Sequence, residues 1–238
     1  MPFVLISDTY PTREQVENGA KDLVVDSVPK HLSVHHHQSA PSDSPKKCPF
    51  HDNQATTESS SSSSKILQYW PTKQDEIMRQ ALKKLRTTRD DFRTGDYAKC
   101  FSWDEVSDEY RQLNNNDIYE QLPDKPGDLV WYAVVFRSKR REDCNNLDLF
   151  MADKEAYEEA YEITNGALLV YWYTDLDKDN NCLATCVWTS RDIARSVNSQ
   201  PAHRIAAAMA ADSYVHYKID RYRIQWNLKV NKLDLSRW

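Results

Sequence analysis

Glycine is scarce in this chain, four residues in 238, and the site types that need it at a fixed position are missing. No G-x-S-x-G elbow surrounds a serine, so Ser190, His203 and Asp220 do not read as a nucleophilic triad. The stretch YWYTDLDKDNNCLATCVW (171–188) carries Asp175, Asp177 and Asp179 in alternation. A calcium loop counted from Asp175 needs Gly at its sixth place and Glu at its twelfth; here those places hold Asn180 and Cys186. The stretch reads as the turn of a hairpin, whose Asp and Asn side chains serve the turn backbone.

Long apolar runs are also missing. Nothing approaches the roughly 20 residues that a membrane-spanning helix needs. The start, MPFVLISDTYPTREQ, has neither a basic leader nor a small-residue cleavage site. Five cysteines without regular spacing suggest reduced thiols, and a cytoplasmic protein is expected. Cys182 and Cys186 share a strand face but lie about 13 Å apart on an extended chain, too far for a mutual disulfide. Basic excess is absent, with 31 Lys and Arg against 36 Asp and Glu, so no nucleic-acid partner is expected. One basic run remains: Arg137, Lys139, Arg140 and Arg141. Its ordinary reading is a solvated strand end, and its functional one a contact to phosphate or an acidic ligand.

The composition divides the chain. Residues 1–26 form an amino-terminal segment in which FVLIS and DLVVDSV suggest short strands or docking segments. Residues 27–65, rich in Ser, His and Pro, offer too little apolar surface to offset the entropy of ordering, and disorder is expected. Cys48 and His51, with His31 and His35 to His37, lie there as a weak metal-binding pattern. Residues 66–127 read as a helical extension. Thr72 and Asp75 make one capping box, followed by Ile77, Ala81, Leu82, Leu85, Arg89 and Phe92 at helical intervals up to Gly95. Ser102 and Glu105 make a second, before Trp103, Val106, Tyr110 and Leu113.

From 128 to 238 the pattern becomes β-α-β-β-α-β. DLVWYAVVFRS, ALLVYWYT, CLATCVWT and YVHYKIDRYRIQW read as strands, and NLKVNKLDLSRW as a tail able to extend the last. A helix repeats Leu149, Ala152, Ala156 and Ala160 and closes at Asn165-Gly166; Thr189 or Ser190 caps a short helix and Pro201 opens another. The fold class is α+β, a ferredoxin-like antiparallel sheet with helices on one face. Parity along the second strand places Leu168, Val170 and Trp172 on one side and Leu169, Tyr171 and Tyr173 on the other. Both faces are therefore oily. The one without crossover helices must be covered by a second copy or by the chain's own amino-terminal helices.

Aromatic side chains dominate the strands. Trp131, Tyr171, Tyr173, Trp188 and Tyr222 are candidate ligand contacts, though core and interface packing is the ordinary reading of such residues. His203, near a helix start, and His216, on the last strand beside Asp220 and Tyr222, are the candidate proton handlers, against cap and structural-ladder roles.

The segment VWTSRDIARSVNSQPAHRIAAAMAADSYVHYKIDRYRI resembles the dimeric α/β-barrel superfamily of antibiotic-biosynthesis-monooxygenase-like proteins. With GDYAKCFSWDEV and DLVWYAVVFRSK, the whole chain resembles an uncharacterised fungal protein family carrying such a domain. The resemblance implies a homodimer without a cofactor that binds a small hydrophobic or aromatic molecule between sheet and helices. It implies a cofactor-independent oxygenase or cyclase acting on an aromatic or polyketide-like substrate. The alternatives are a non-enzymatic dimerisation or interaction protein and, third, a haem-handling enzyme. Haem-degrading members of the superfamily use an Asn, a Trp and a His; Trp188 and His203 stand in comparable places, but the first strand offers no Asn.

Overall fold

A computed structural model describes residues 68–116 and 118–238. The expected segments 1–26 and 27–65, and the Cys48 and His pattern, lie outside the described residues. The expected alternation is present: β1 (Val130–Arg140), α4 (Asn146–Ile163), β2 (Leu168–Tyr173), β3 (Asn181–Trp188), α5 (Arg191–Ser196), α6 (Pro201–Ser213) and β4 (Tyr214–Asn227). The tail adds a fifth strand, β5 (Lys232–Arg237). All pairings are antiparallel in the order β2-β3-β1-β4-β5, the ferredoxin-like arrangement extended by one hairpin. Before β1 come α1 (Lys73–Ala81), α2 (Tyr97–Cys100) and α3 (Trp103–Asn115).

Local chemistry sets the turns. Asn165 and Gly166 both adopt positive φ, 50° and 78°, and close α4 as the sequence predicts. Between β2 and β3, Asn180 takes φ 61° and the Asp177 carboxylate accepts from the Asp179 and Asn181 backbone N–H groups. The acidic stretch is a hairpin turn. Ser190 caps α5 through the Ile193 N–H.

Three sequence expectations change. Helical spacing carried from Ile77 to Phe92 predicts one helix, yet α1 ends at Ala81 with a 3-10 turn to Lys84. Thr87 then pairs in a bridge with Phe101, and Phe92 sits in a separate 3-10 turn. Ser102 makes no capping box: its hydroxyl donates to the Lys84 carbonyl and accepts from the Arg86 N–H, while Glu105 pairs with the Arg86 guanidinium. Parity on β2 is broken by an irregularity between Leu168 and Val170, so Leu168 joins the apolar cluster of one face while Leu169, Val170 and Trp172 join that of the other.

The chain's own helical block covers the second face. Ile77, Met78, Val106 and Tyr110 share one core with Trp131, Ala133, Val135, Leu183, Val187 and Ile224. Phe101 meets Trp172 edge-on at 5.0 Å, Tyr97 meets Tyr222 at 5.1 Å and Tyr110 meets Trp226 at 4.6 Å. The Asp75 carboxylate, 1% exposed, anchors the block: it accepts from the Tyr69 hydroxyl, the Thr72 hydroxyl, the Lys125 ammonium and the Trp131 indole at 2.7–3.0 Å. Four donors around one buried carboxylate satisfy a charge that would otherwise be strongly disfavoured. The block also reaches both sheet edges. Arg79 donates to the carbonyls of Gly166 and Leu168 beside β2, and the Ser107 hydroxyl accepts from the Leu233 N–H on β5. Each edge thus has backbone groups already engaged by the block.

Candidate functional site

On the helix face, β1 contributes Tyr132, Val134 and Phe136, and register places Cys182, Cys186 and Trp188 of β3 beside them. Tyr171 and Tyr173 of β2 follow by their pairing with Cys186 and Ala184, and Tyr217 and Ile219 of β4 by theirs with Ser138 and Phe136. Over this face, α4 carries Phe150, Asp153, Tyr157 and Tyr161 at intervals of three and four, a single stripe.

Asp153 is the acid of that stripe. Both its carboxylate oxygens lie 2.8 Å from the Tyr171 hydroxyl. Burial pushes its carboxyl up to about 6, against the opposing effects of the Tyr171 hydrogen bond and the nearby Arg140 charge. Two aromatic banks flank it. Tyr157 stacks on Tyr171 at 5.8 Å, and Tyr173 lies 6.3 Å from Tyr171 and 6.2 Å from Phe150. Across the sheet, Tyr217 stacks between Tyr214 and Phe136 at 5.3 and 6.2 Å.

Asp153 is felt electrostatically on both sides. After burial, which is the larger cause, its charge raises the Tyr173, Tyr214 and Tyr217 hydroxyls and the Cys182 and Cys186 thiols. Tyr217 is 44% exposed, yet burial is the main cause holding its hydroxyl protonated. No residue of α6 is buried. Burial lifts the Cys186 thiol to about 12, and its sulfur accepts from the Trp188 indole at 3.0 Å; it is a packed thiol rather than a nucleophile.

The residues singled out from sequence divide between the two faces. Tyr171, Tyr173 and Trp188 lie on the helix face. Trp131 and Tyr222 lie on the other, buried beneath the amino-terminal block. His216 pairs with Lys139 on that second side and is exposed. His203 sits on α6 against α4, where Glu159 accepts from the Ala202 and His203 N–H groups and so caps the helix. Burial lowers its imidazole pKa, opposed by Glu159 and by a hydrogen bond to Ala156, and its Nδ1 is buried without a partner among the described residues. The two histidines therefore do not meet. Asp153 was missed, although an acid within the Phe150, Tyr157, Tyr161 stripe was a visible signal.

A cleft of about 360 Å³ lies elsewhere, lined by Gly127, Leu129, Trp226, Leu228 and Asp234 among others. Among the described residues no cluster of three His, Cys, Asp or Glu could hold a metal ion. No described helix is long and apolar enough to cross a membrane.

A model of a family described as PB2B2.08-like matches residues 59–237. The UPF0643 protein PB2B2.08 of Schizosaccharomyces pombe (strain 972) is 28% identical over 137 residues. That match covers 54% of this chain, and the chain spans 58% of the relative's length. Among solved structures, SnoaB, a cofactor-independent oxygenase from Streptomyces nogalater, is similar at 16% identity, covering 43% of this chain and 98% of that one with a TM-score of 0.32. A dimeric ferredoxin-like protein of unknown function from Thermobifida fusca is similar at 13% identity, covering 39% and 89% with a TM-score of 0.32.

Proposed function

The chain belongs to the PB2B2.08-like family, and we propose that this member has a recess between the sheet and α4 and α6 that binds a small planar aromatic molecule, with Asp153 and Tyr171 handling a proton. The observation that carries this reading is the 2.8 Å contact of Tyr171 to both oxygens of a carboxyl raised to about 6. A carboxyl so placed is close to the operating pH and can serve as base or acid. Tyr173, Tyr214 and Tyr217 supply flat apolar walls with polar tips.

The finer form is a cofactor-independent oxygenase or cyclase on an aromatic or polyketide-like substrate. As a base, Asp153 would take a proton from an activated methylene between two rings. The resulting carbanion could reduce dioxygen directly, with one oxygen atom entering the product as a ketone and the other leaving in water. The test is to supply anthrone in air and measure binding, oxygen uptake and anthraquinone formation. The expected result is saturable binding and turnover that Asp153→Asn lowers at least about 100-fold, within the usual contribution of a positioned base. Saturable binding without turnover would leave a binder; absence of both overturns the reading.

A second reading, a non-enzymatic dimerisation or interaction protein, is favoured by α6, on which Ile205 is 54% exposed, and by Val215 at 68%. Residues 68–116 already occupy the opposite sheet face, so a homodimer would meet through this side. Sedimentation of the native chain and of Ile205→Glu tests it: a dimer dissociated by the substitution supports the reading, and a monomer in both refutes it. The described cysteines, Cys100, Cys144, Cys182 and Cys186, are unpaired, which supports a reducing, cytoplasmic setting.

A further inference from the structure

The basic run at the end of β1 disperses in the fold. Arg137 turns to the amino-terminal block, donating to the carbonyls of Phe92, Arg93 and Gly95 and pairing with Asp220 at 3.5 Å. Lys139 is exposed, and Arg141 pairs with Asp143 in solvent. Arg140 alone of the four bears on the groups around Asp153, and it pairs with Tyr214 in the sheet. Its charge is felt at Asp153, Tyr173, Tyr214 and Cys182, and these groups belong to α4, β2, β4 and β3.

The hydrogen bonding of Arg140 is incomplete. Nη1 donates to the Asn146 side chain at 2.8 Å, while Nε is buried and has no partner among the described residues. A buried donor left unmade carries a desolvation cost, and such atoms in a folded chain ask for an explanation. An incoming carboxylate answers it. The guanidinium fork matches two carboxylate oxygens.

We infer that Arg140 selects the ligand: the recess takes an aromatic carboxylate, its carboxylate on the Arg140 fork and its ring among Tyr173, Tyr214 and Tyr217. This rests on the site proposed above and narrows its ligand class. Below about pH 6 the Asp153 carboxyl is mostly neutral and does not repel such a guest.

Calorimetric titration with 2-naphthoate and its neutral analogue 2-naphthamide tests the inference. The native chain is expected to bind the naphthoate at least about tenfold more tightly, the scale of a charge-assisted bidentate contact. Arg140→Met should erase the preference. Arg140→Lys, which keeps the charge without the fork, should retain part of it. Equal affinities in the native chain overturn the inference whether or not the variants fold, and so does a preference that survives Arg140→Met. If anthrone binds and neither naphthalene does, the charge selection fails and the site stands; if nothing binds, both fail.

Discussion

The Tyr171 hydroxyl stands 2.8 Å from each carboxylate oxygen of Asp153, tying the edge strand β2 to helix α4 through the proton that the hydroxyl donates. The first consequence is a pH dependence of stability. The Asp153 carboxyl rises from the ordinary value near 3.9 to about 6 in the folded chain because burial disfavours its charged form. Between those values the folded chain holds more protons than the unfolded one, so this group makes stability fall as pH rises, levelling off above about 6. Asp153→Asn should therefore be more stable than the native chain at pH 8, by up to about 3 kcal/mol, with the gain vanishing by pH 4. Urea denaturation across that range measures it.

Tyr171→Phe removes the hydrogen bond that holds the Asp153 carboxyl down. Its titration, followed by the carboxyl carbon resonance, should move to higher pH than in the native chain. An unchanged or lowered midpoint would mean that the hydroxyl does not serve the charged carboxylate.

Asp75 tests whether the amino-terminal block is fixed to the sheet as described. Asp75→Ala leaves Lys125, whose side chain is 11% exposed, without its carboxylate and removes the acceptor of the Trp131 indole. Breaking a buried pair from one side costs about 3–5 kcal/mol. A loss under about 1 kcal/mol, the range of an exposed pair, would place this carboxylate in solvent.

Tyr97 and Thr185 make a smaller test of the same contact. The Tyr97 hydroxyl lies 2.9 Å from the Thr185 hydroxyl, which itself donates to the Val134 carbonyl. Thr185→Val leaves the tyrosine hydroxyl buried and unpaired, at a cost of about 1–3 kcal/mol. Thermal unfolding of Thr185→Val and of the double variant with Tyr97→Phe should show the second change restoring part of the loss.

Much of the fold was legible because the order of periods, two then 3.6 then two, has one compact solution for strands and crossover helices of this length. The cap at Thr189 or Ser190, which falls to Ser190, the close at Asn165-Gly166 and the turn at Asn180 were readable because their chemistry is local. What failed was non-local. Thr87 leaves helical geometry to bridge Phe101, a partner that helical spacing does not reveal. The irregularity at Leu168 to Val170 spoils parity, and the pairing of β2 with β3 is what discloses it. Strand parity could say that Trp131 and Tyr132 face apart; it could not say which of them would lie under the block from 68 to 116. Asp153 was hidden by its neighbours, since Leu149, Ala152, Ala156 and Ala160 gave α4 an apolar face that accounted for the helix without it.

The central claim is that the aromatic recess around Asp153 receives a ligand, and nuclear magnetic resonance of ring-labelled tyrosine tests it most directly during titration with anthrone. The account predicts saturable shifts at Tyr171, Tyr173, Tyr214 and Tyr217, with Tyr97 and Tyr110 on the covered face unmoved. Shifts at Tyr97 and Tyr110 instead, or no saturable shift at any tyrosine, would contradict it.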